Sequence, residues 1–240
     1  MTAVTEIGPG VRAAFTERYA GGVSAAPFDT LNLGAGVADD PSAVAENRRI
    51  AAARFGFDPD RVVWMSQVHS ADVAVVDAPG DAGRVDAVVT TRPGLVLATL
   101  AADCLPILAA DPVAGVIGAA HSGRVGTALG VAEALVAEMV RQGASVDRIS
   151  ALLGPAICGA CYEVPPHLQR EVTARTPEAA GRTRAGTTSV DLRAGVTAQL
   201  ERAGVRRVSA DGRCTLESPE LFSHRRDAKT GRLAGFVWRA

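Results

Sequence analysis

Three residues with metal-binding side chains share a local pattern. His69 ends the run Trp64-Met-Ser-Gln-Val-His69, Cys104 ends Leu100-Ala-Ala-Asp-Cys104, and His121 ends Gly118-Ala-Ala-His121. Each stands at or just past the end of an apolar, strand-like run. Sheet-based folds gather functional side chains at such ends. Two imidazoles and one thiolate can hold Zn2+ with a fourth position open. Such an ion keeps the sulfur as thiolate and can lower the pKa of a bound water to about 7. Two other readings use the same residues. Cys104 and a histidine can work as nucleophile and base. Alternatively the cysteine is a small buried hydrophobe and the histidines only hydrogen-bond. The separations of 35 and 17 residues match no local metal motif, so spacing alone leaves all three open.

Other groups are weaker. Cys158-Gly-Ala-Cys161 is half of a zinc ribbon without a second pair, since Cys214 stands alone. As a redox pair it should open a helix after a strand. The following Tyr162-Glu-Val-Pro165-Pro166 argues against that, so a structural or incidental role is expected. Gly34-Ala-Gly36 lacks the third glycine of a dinucleotide fingerprint, and no Walker sequence is present. Arg48, in Asn47-Arg48-Arg49, can bind phosphate through its guanidinium or simply face solvent. Asp103 can orient Cys104 from behind or carry a proton. His224-Arg225-Arg226-Asp227 reads as a salt-bridged turn, and His167 as a surface residue.

The elements that must position these groups alternate between strand and helix. Asp40 offers an N-cap, Pro41 a first helical position and Gly56 a stop, which predicts a helix over Pro41–Phe55. Strands are expected at Val11–Thr16, Arg61–Trp64, Asp72–Val76, Asp86–Thr90, Leu95–Leu100, Leu105–Ala109, Val116–Ala120, Ile149–Leu153, Val205–Ser209 and Leu233–Trp238. Thr127–Gln142 carries Leu129, Ala132, Leu135, Val136, Met139 and Val140 at helical spacing and is expected to be one helix. His167–Thr176 and Val190–Ala203 also look helical. Arg175–Thr188, with a proline, two glycines and four threonines, is expected to be an exposed loop. No linker exceeds it, so one domain over residues 1–240 is expected.

Composition excludes several classes. The chain has 240 residues, 25 basic and 26 acidic, for a net charge of −1. That balance gives no reason to bind nucleic acid or an anionic membrane. The longest apolar run, Gly94 to Ala110, is broken by Asp103 and is too short to span a bilayer. Met1–Arg18 has no sustained apolar core, so a cytoplasmic protein with reduced thiols is expected.

Taken together, the segments resemble the laccase-domain (YfiH-like) family, long labelled multicopper polyphenol oxidase and associated with purine nucleoside phosphorylase activity. The resemblance is carried by Gly21-Gly-Val-Ser24, Leu31-Asn-Leu-Gly34, Asp39-Asp-Pro41 with Glu46-Asn-Arg48, Gln67-Val-His69, Asp86-Ala-Val-Val-Thr90, Ala102-Asp-Cys104-Leu-Pro106, Ala119-Ala-His121-Ser-Gly123, Leu153-Gly-Pro155, Cys161-Tyr-Glu-Val164, Leu221-Phe-Ser-His-Arg-Arg-Asp227 and Thr230-Gly-Arg232. It implies an α/β (α+β) fold: a single-domain layered sandwich of mixed β-sheet and helices. It implies a zinc site at His69, Cys104 and His121, with copper as the alternative ion. The implied activities are phosphorolysis of adenosine, inosine, guanosine and methylthioadenosine, and adenosine deamination. Implied partners are a purine nucleoside and inorganic phosphate, with no nucleic acid or membrane, in a monomer or small homo-oligomer. Arg48 is the phosphate candidate, and Asp103 the candidate orienter or proton carrier.

The laccase label fits poorly, because a multicopper oxidase needs many histidine ligands and the chain has four histidines. Arg124-Val125 stand where relatives carry Trp-Arg, and Ala156 and Ala160 where cysteines are usual. Two alternatives remain: an editing hydrolase of cell-wall precursors using Cys104 and His121, and a non-catalytic metal-containing binding protein.

Overall fold

The computed structural model describes residues 3–239. The first half holds β1 (Thr5–Gly8), β2 (Val11–Phe15), α1 (Pro41–Phe55), β3 (Val62–Trp64), β4 (Val73–Val75), β5 (Gly80–Asp81), β6 (Ala87–Thr90), β7 (Val96–Ala101), β8 (Leu105–Asp111) and β9 (Val116–Ser122). The second half holds α2 (Arg124–Leu129), α3 (Val131–Arg141), β10 (Ser150–Leu153), α4 (Pro166–Thr173), β11 (Ala180–Arg182), β12 (Thr188–Val190), α5 (Leu192–Arg202), β13 (Arg207–Ala210), α6 (His224–Asp227) and β14 (Leu233–Arg239). Two mixed six-stranded sheets form, in the orders β1-β2-β14-β7-β3-β5 and β13-β10-β8-β9-β6-β4. β11 and β12 pair separately as an antiparallel hairpin.

The layering follows from the two-residue period of strands. Along β8, Leu105, Ile107 and Ala109 share a cluster with Leu135 and Met139 of α3 and Leu200 of α5. The alternate residues Leu108 and Ala110 instead meet Val11, Ala13, Leu97 and Val237 of the other sheet. On β14, Val237 faces that interior, while Phe236 and Trp238 pack with Ala51 and Phe55 of α1. The order through the molecule is therefore α3 and α5, the β8 sheet, the β14 sheet, then α1. β8 and β9 are buried along their whole length, which is why they read as continuous apolar runs. Each fully buried Leu or Phe contributes about 1.5–3 kcal/mol.

α1 has the expected bounds. The Asp40 carboxylate accepts from the Ser42 N–H at 2.8 Å, and Gly56 closes the last turn. The single helix expected over Thr127–Gln142 is instead α2 and α3. Gly130, at φ 85°, ends one and begins the other, a left-handed position open to glycine. The break re-aims the stripe: Leu135, Val136 and Met139 are buried, whereas Leu129 is 51% and Val140 42% exposed. The loop expected over Arg175–Thr188 is also corrected, because β11 lies inside it and pairs Arg182 with Thr188 at the start of β12. Of the four threonines only Thr188 lies in a strand, where its β-branched side chain suits the pleat; Thr183 and Thr187 close the hairpin's exposed turn, their hydroxyls 2.6 Å apart. Among the described residues, no helix is long and apolar enough to cross a membrane.

Asp111 locks the turn from β8 to β9. Its buried carboxylate accepts from the N–H groups of Val113, Ala114 and Ser145 at 2.8–3.1 Å, and pairs with Arg148 at 2.9 Å. Burial opposes its charge, but the Arg148 guanidinium and these N–H groups outweigh burial and hold it below the usual carboxylate range. A depressed folded pKa stabilises above the unfolded value, near 3.9, and the gain is lost as pH falls through the folded value. Asp111→Asn is expected to cost about 1–3 kcal/mol at pH 7. It should also flatten the acid side of the stability curve below pH about 4. Thermal unfolding of both proteins across that range checks it, and parallel curves would count against this role.

Candidate active site

The three residues singled out by their local pattern come together where the chain crosses between sheets. His69 lies in the passage from β3 of one sheet to β4 of the other, and Cys104 in the three-residue corner between β7 and β8. His121 stands near the end of β9, paired in register with Pro106. One ligand atom from each lies within 4.8 Å of the other two. The imidazole rings of His69 and His121 meet nearly edge-on, centroids 4.8 Å apart. A tetrahedral ion with these donors asks for about 3.5 Å between them, so the set closes on an ion with small adjustments.

Backbone and carboxylate groups hold these three side chains in place. Asp86, just before β6, is fully buried. One of its oxygens accepts from the N–H groups of Val68 at 3.0 Å and Ser70 at 2.6 Å, the two neighbours of His69. The other lies 2.8 Å from His121 Nδ1. Gln67 makes a two-way pairing with the backbone of Leu100 on β7, at 2.8 and 2.7 Å. His69 and Asp103 have positive φ, 61° and 91°, a costly region for non-glycine residues that persists where the surroundings enforce it. Asp103 is clamped through both oxygens: the Thr215 hydroxyl and the Arg225 N–H each donate at 2.6 Å.

The electrostatics follow from these contacts. Burial opposes charge on Asp86, but its hydrogen bonds to His121, Ser70 and Val68 bring its carboxyl down to about 2. Burial likewise opposes charge on His121; Cys104 and Asp86 outweigh it and raise the imidazole to about 9. His69 moves the other way, lowered first by burial and then by the neighbouring His121 charge.

Gly123 leaves the room the cluster needs. A Cβ there would stand 2.6 Å from His69 Nδ1 and 2.9 Å from Cys104 Sγ. Gly123→Ala is expected to displace both donors and lower metal affinity about 10–100-fold, the scale seen when groups supporting a metal's ligands are disturbed. Metal titration of the folded variant checks this, and unchanged affinity would mean that the donors lie elsewhere.

The cluster opens onto a cavity of about 890 Å³. Arg48, Arg84 and Arg232 reach its wall, as do Trp64 and His224. The Arg48 guanidinium lies 3.7 Å over the Trp64 ring, and its Nε and Nη2 donate to the Leu33 carbonyl at 3.1 Å. Burial pushes the pKa of both Arg48 and Arg232 down, a penalty that an arriving anion relieves. Asp103 is absent from this wall. Arg124 is too: its guanidinium pairs with Glu171 of α4 at 2.8 Å, although its charge is felt at His69.

Sequence reasoning passed over Asp86, Arg84 and Arg232 as site groups, and took His224 only as part of a charged turn. The turn is salt-bridged as expected, Arg226 to Asp227 at 2.9 Å, yet His224 lines the cavity. His167 is exposed as expected. One expectation is overturned: Cys214 does not stand alone but meets Cys158 and Cys161. That pair opens no helix, and burial with the adjacent thiols pushes Cys161 up to about 12, the reverse of a reactive redox thiol.

The sequence matches, over residues 12–240, the family described as multi-copper polyphenol oxidoreductase laccase. A Streptomyces coelicolor protein named purine nucleoside phosphorylase is 56% identical over 232 residues, 95% of this chain and 96% of that protein. A Corynebacterium glutamicum protein of the same name is 50% identical, covering 95% and 94%. Among solved structures, YfiH of Bacillus licheniformis superposes with a TM-score of 0.91 at 31% identity, covering 100% of this chain and 96% of that one. YlmD of Geobacillus stearothermophilus gives 0.90 at 35%, covering 96% and 92%.

Proposed function

The chain belongs to the multi-copper polyphenol oxidoreductase laccase family, and on that premise we propose that it is a cytoplasmic purine nucleoside phosphorylase working at one metal centre. The observation that carries this is a His-Cys-His donor set in the wall of the same cavity that three arginines line. The relatives' names point the same way. Residues 1–240 then make one laccase-like domain.

His69, Cys104 and His121 hold the ion, with Zn2+ the better fit to a mixed imidazole and thiolate set and copper the alternative. When bound, the ion supplies Lewis-acid neutralisation of oxygen charge. Arg48, Arg84 and Arg232 hold phosphate and offset its charge. The apolar wall near Met65 and Val68 receives the purine. A phosphate oxygen displaces the base at the ribose anomeric carbon, and the departing base takes up one proton. Positioning does most of this work. Asp103 acts as a positioning residue, because Thr215 and Arg225 occupy both its oxygens. Adenosine, inosine, guanosine and methylthioadenosine are the substrates proposed, with adenosine deamination as a second activity of the same centre.

The laccase label does not extend to several copper centres. Among the described residues, His167 is exposed on α4 and His224 bonds the Ala228 carbonyl, leaving two histidines in the donor set.

A second reading has one observation behind it. His121 and Cys104 have side-chain donor atoms within 4.8 Å of each other, which also suits a nucleophile and base in an editing hydrolase. Two results separate the readings. Arg48→Ala is expected to raise the KM for phosphate about tenfold or more, with metal content unchanged. Iodoacetamide should spare the activity of the metal-loaded protein. An unchanged phosphate KM together with inactivation by alkylation would favour the hydrolase.

A further inference from the structure

Two tight turns meet beside Asp103, outside the cavity wall. In the first, the Cys158 carbonyl accepts from the N–H groups of Cys161 and Tyr162, both at 2.9 Å. In the second, the Cys214 carbonyl accepts from those of Glu217 at 3.1 Å and Ser218 at 2.9 Å. Each turn therefore presents its first and fourth side chains to one side: Cys158 with Cys161, and Cys214 with Glu217. A parallel bridge of Ala156 to Cys214 sets the turns side by side. The three sulfurs and a Glu217 oxygen all lie within 4.8 Å of one another.

We infer that Cys158, Cys161, Cys214 and Glu217 form a second, structural Zn2+ site, separate from the proposed catalytic centre. The donor count is full, so no position stays open for substrate, as in structural zinc sites. The donor type is right, because thiolates select zinc among the available divalent ions. The spacing is that of two zinc turns, C-x-x-C and C-x-x-E, each able to clasp one side of a tetrahedron. Outer contacts suit thiolate ligands. The Cys158 N–H donates to Cys214 Sγ at 3.4 Å, and Arg184 donates to Cys161 Sγ at 3.5 Å. Arg184 also pairs with Glu217. Three thiolates, one carboxylate and Zn2+ leave a net negative charge, and the Arg184 cation offsets part of it. A disulfide is the rival use of these residues, but the three cysteines are free, and a disulfide would join only two of the three adjacent thiols.

The position says what the site is for. Ile157 N–H, one residue from Cys158, donates to the Asp103 carbonyl at 3.0 Å. The Thr215 hydroxyl, one residue from Cys214, donates to the Asp103 carboxylate at 2.6 Å. Fastening the two turns together thus braces the strained residue that precedes Cys104.

Elemental analysis of protein purified with added zinc, beside a His69→Ala/Cys104→Ser variant, tests this without any activity assay. The expected result is about two zinc ions per chain in the unaltered protein and about one in the variant. Cobalt(II) bound to the variant should show strong sulfur-to-metal charge-transfer absorption, lost on adding Cys161→Ser. Glu217→Gln, an exposed change that spares the fold, should weaken zinc retention against a chelator about tenfold or more. A metal-free variant with alkylatable thiols, or with a disulfide found by mass spectrometry, would overturn the site. If Cys161→Ser fails to fold, the stoichiometry of the first variant and the Glu217→Gln competition still decide.

Discussion

Cys104→Ser is expected to strip the metal from the His69–Cys104–His121 centre and to lower kcat/KM for phosphorolysis about 10²–10³-fold, the scale of losing one main electrostatic stabiliser. A serine hydroxyl is not ionised near neutral pH and cannot replace a thiolate donor. The fold should survive, because Cys104 is only partly buried at the corner before β8 and serine is close to it in size. Metal content, thermal unfolding and nucleoside turnover measured on one preparation separate these effects. A variant that keeps its metal at this centre but loses activity would instead mark Cys104 as a nucleophile.

Asp86→Ala is expected to damage stability and site together. The carboxylate is fully buried and receives Val68, Ser70 and His121. Removing it leaves those donors unpaired in a dry interior, at a cost of about 3–5 kcal/mol. It also frees the loop that carries His69 and the tautomer of His121. Loss of such a carboxylate behind a metal-binding histidine costs about 10–100-fold in metal affinity or activity. Asp86→Asn should fall between, because its oxygen can still accept from His121 while its NH2 opposes the Val68 and Ser70 N–H groups. Chemical denaturation and metal titration of both variants check the order; equal losses in stability would contradict the assigned hydrogen bonds.

The grouping of His69, Cys104 and His121 was legible because Cys104 and His121 border the continuous apolar runs of β8 and β9, and His69 follows the run of β3 by five residues. α1 was legible for a local reason: Asp40, Pro41 and Gly56 are its own start and stop. The break at Gly130 was hidden by an apolar stripe that continues at helical spacing on both sides of it. Asp86 looked like a strand boundary, and only the return of the His69 loop past β6 gives its carboxylate three partners. Arg84 and Arg232 were invisible as site residues because their reach depends on how distant segments fold around the cavity. The Cys214 turn was missed for a related reason. Its fourth position is a glutamate, and its partner turn lies more than fifty residues earlier. The signal in the sequence was the spacing Cys214-Thr-Leu-Glu217, which repeats that of Cys158-Gly-Ala-Cys161.

The most direct test of phosphorolysis at this centre is the initial rate of adenine release from adenosine by the metal-loaded protein as phosphate is raised from zero. The expected result is no adenine without phosphate, a saturating rise with it, and ribose 1-phosphate formed in equal amount. Adenine released at the same rate without phosphate, or none at any phosphate concentration, would contradict the account.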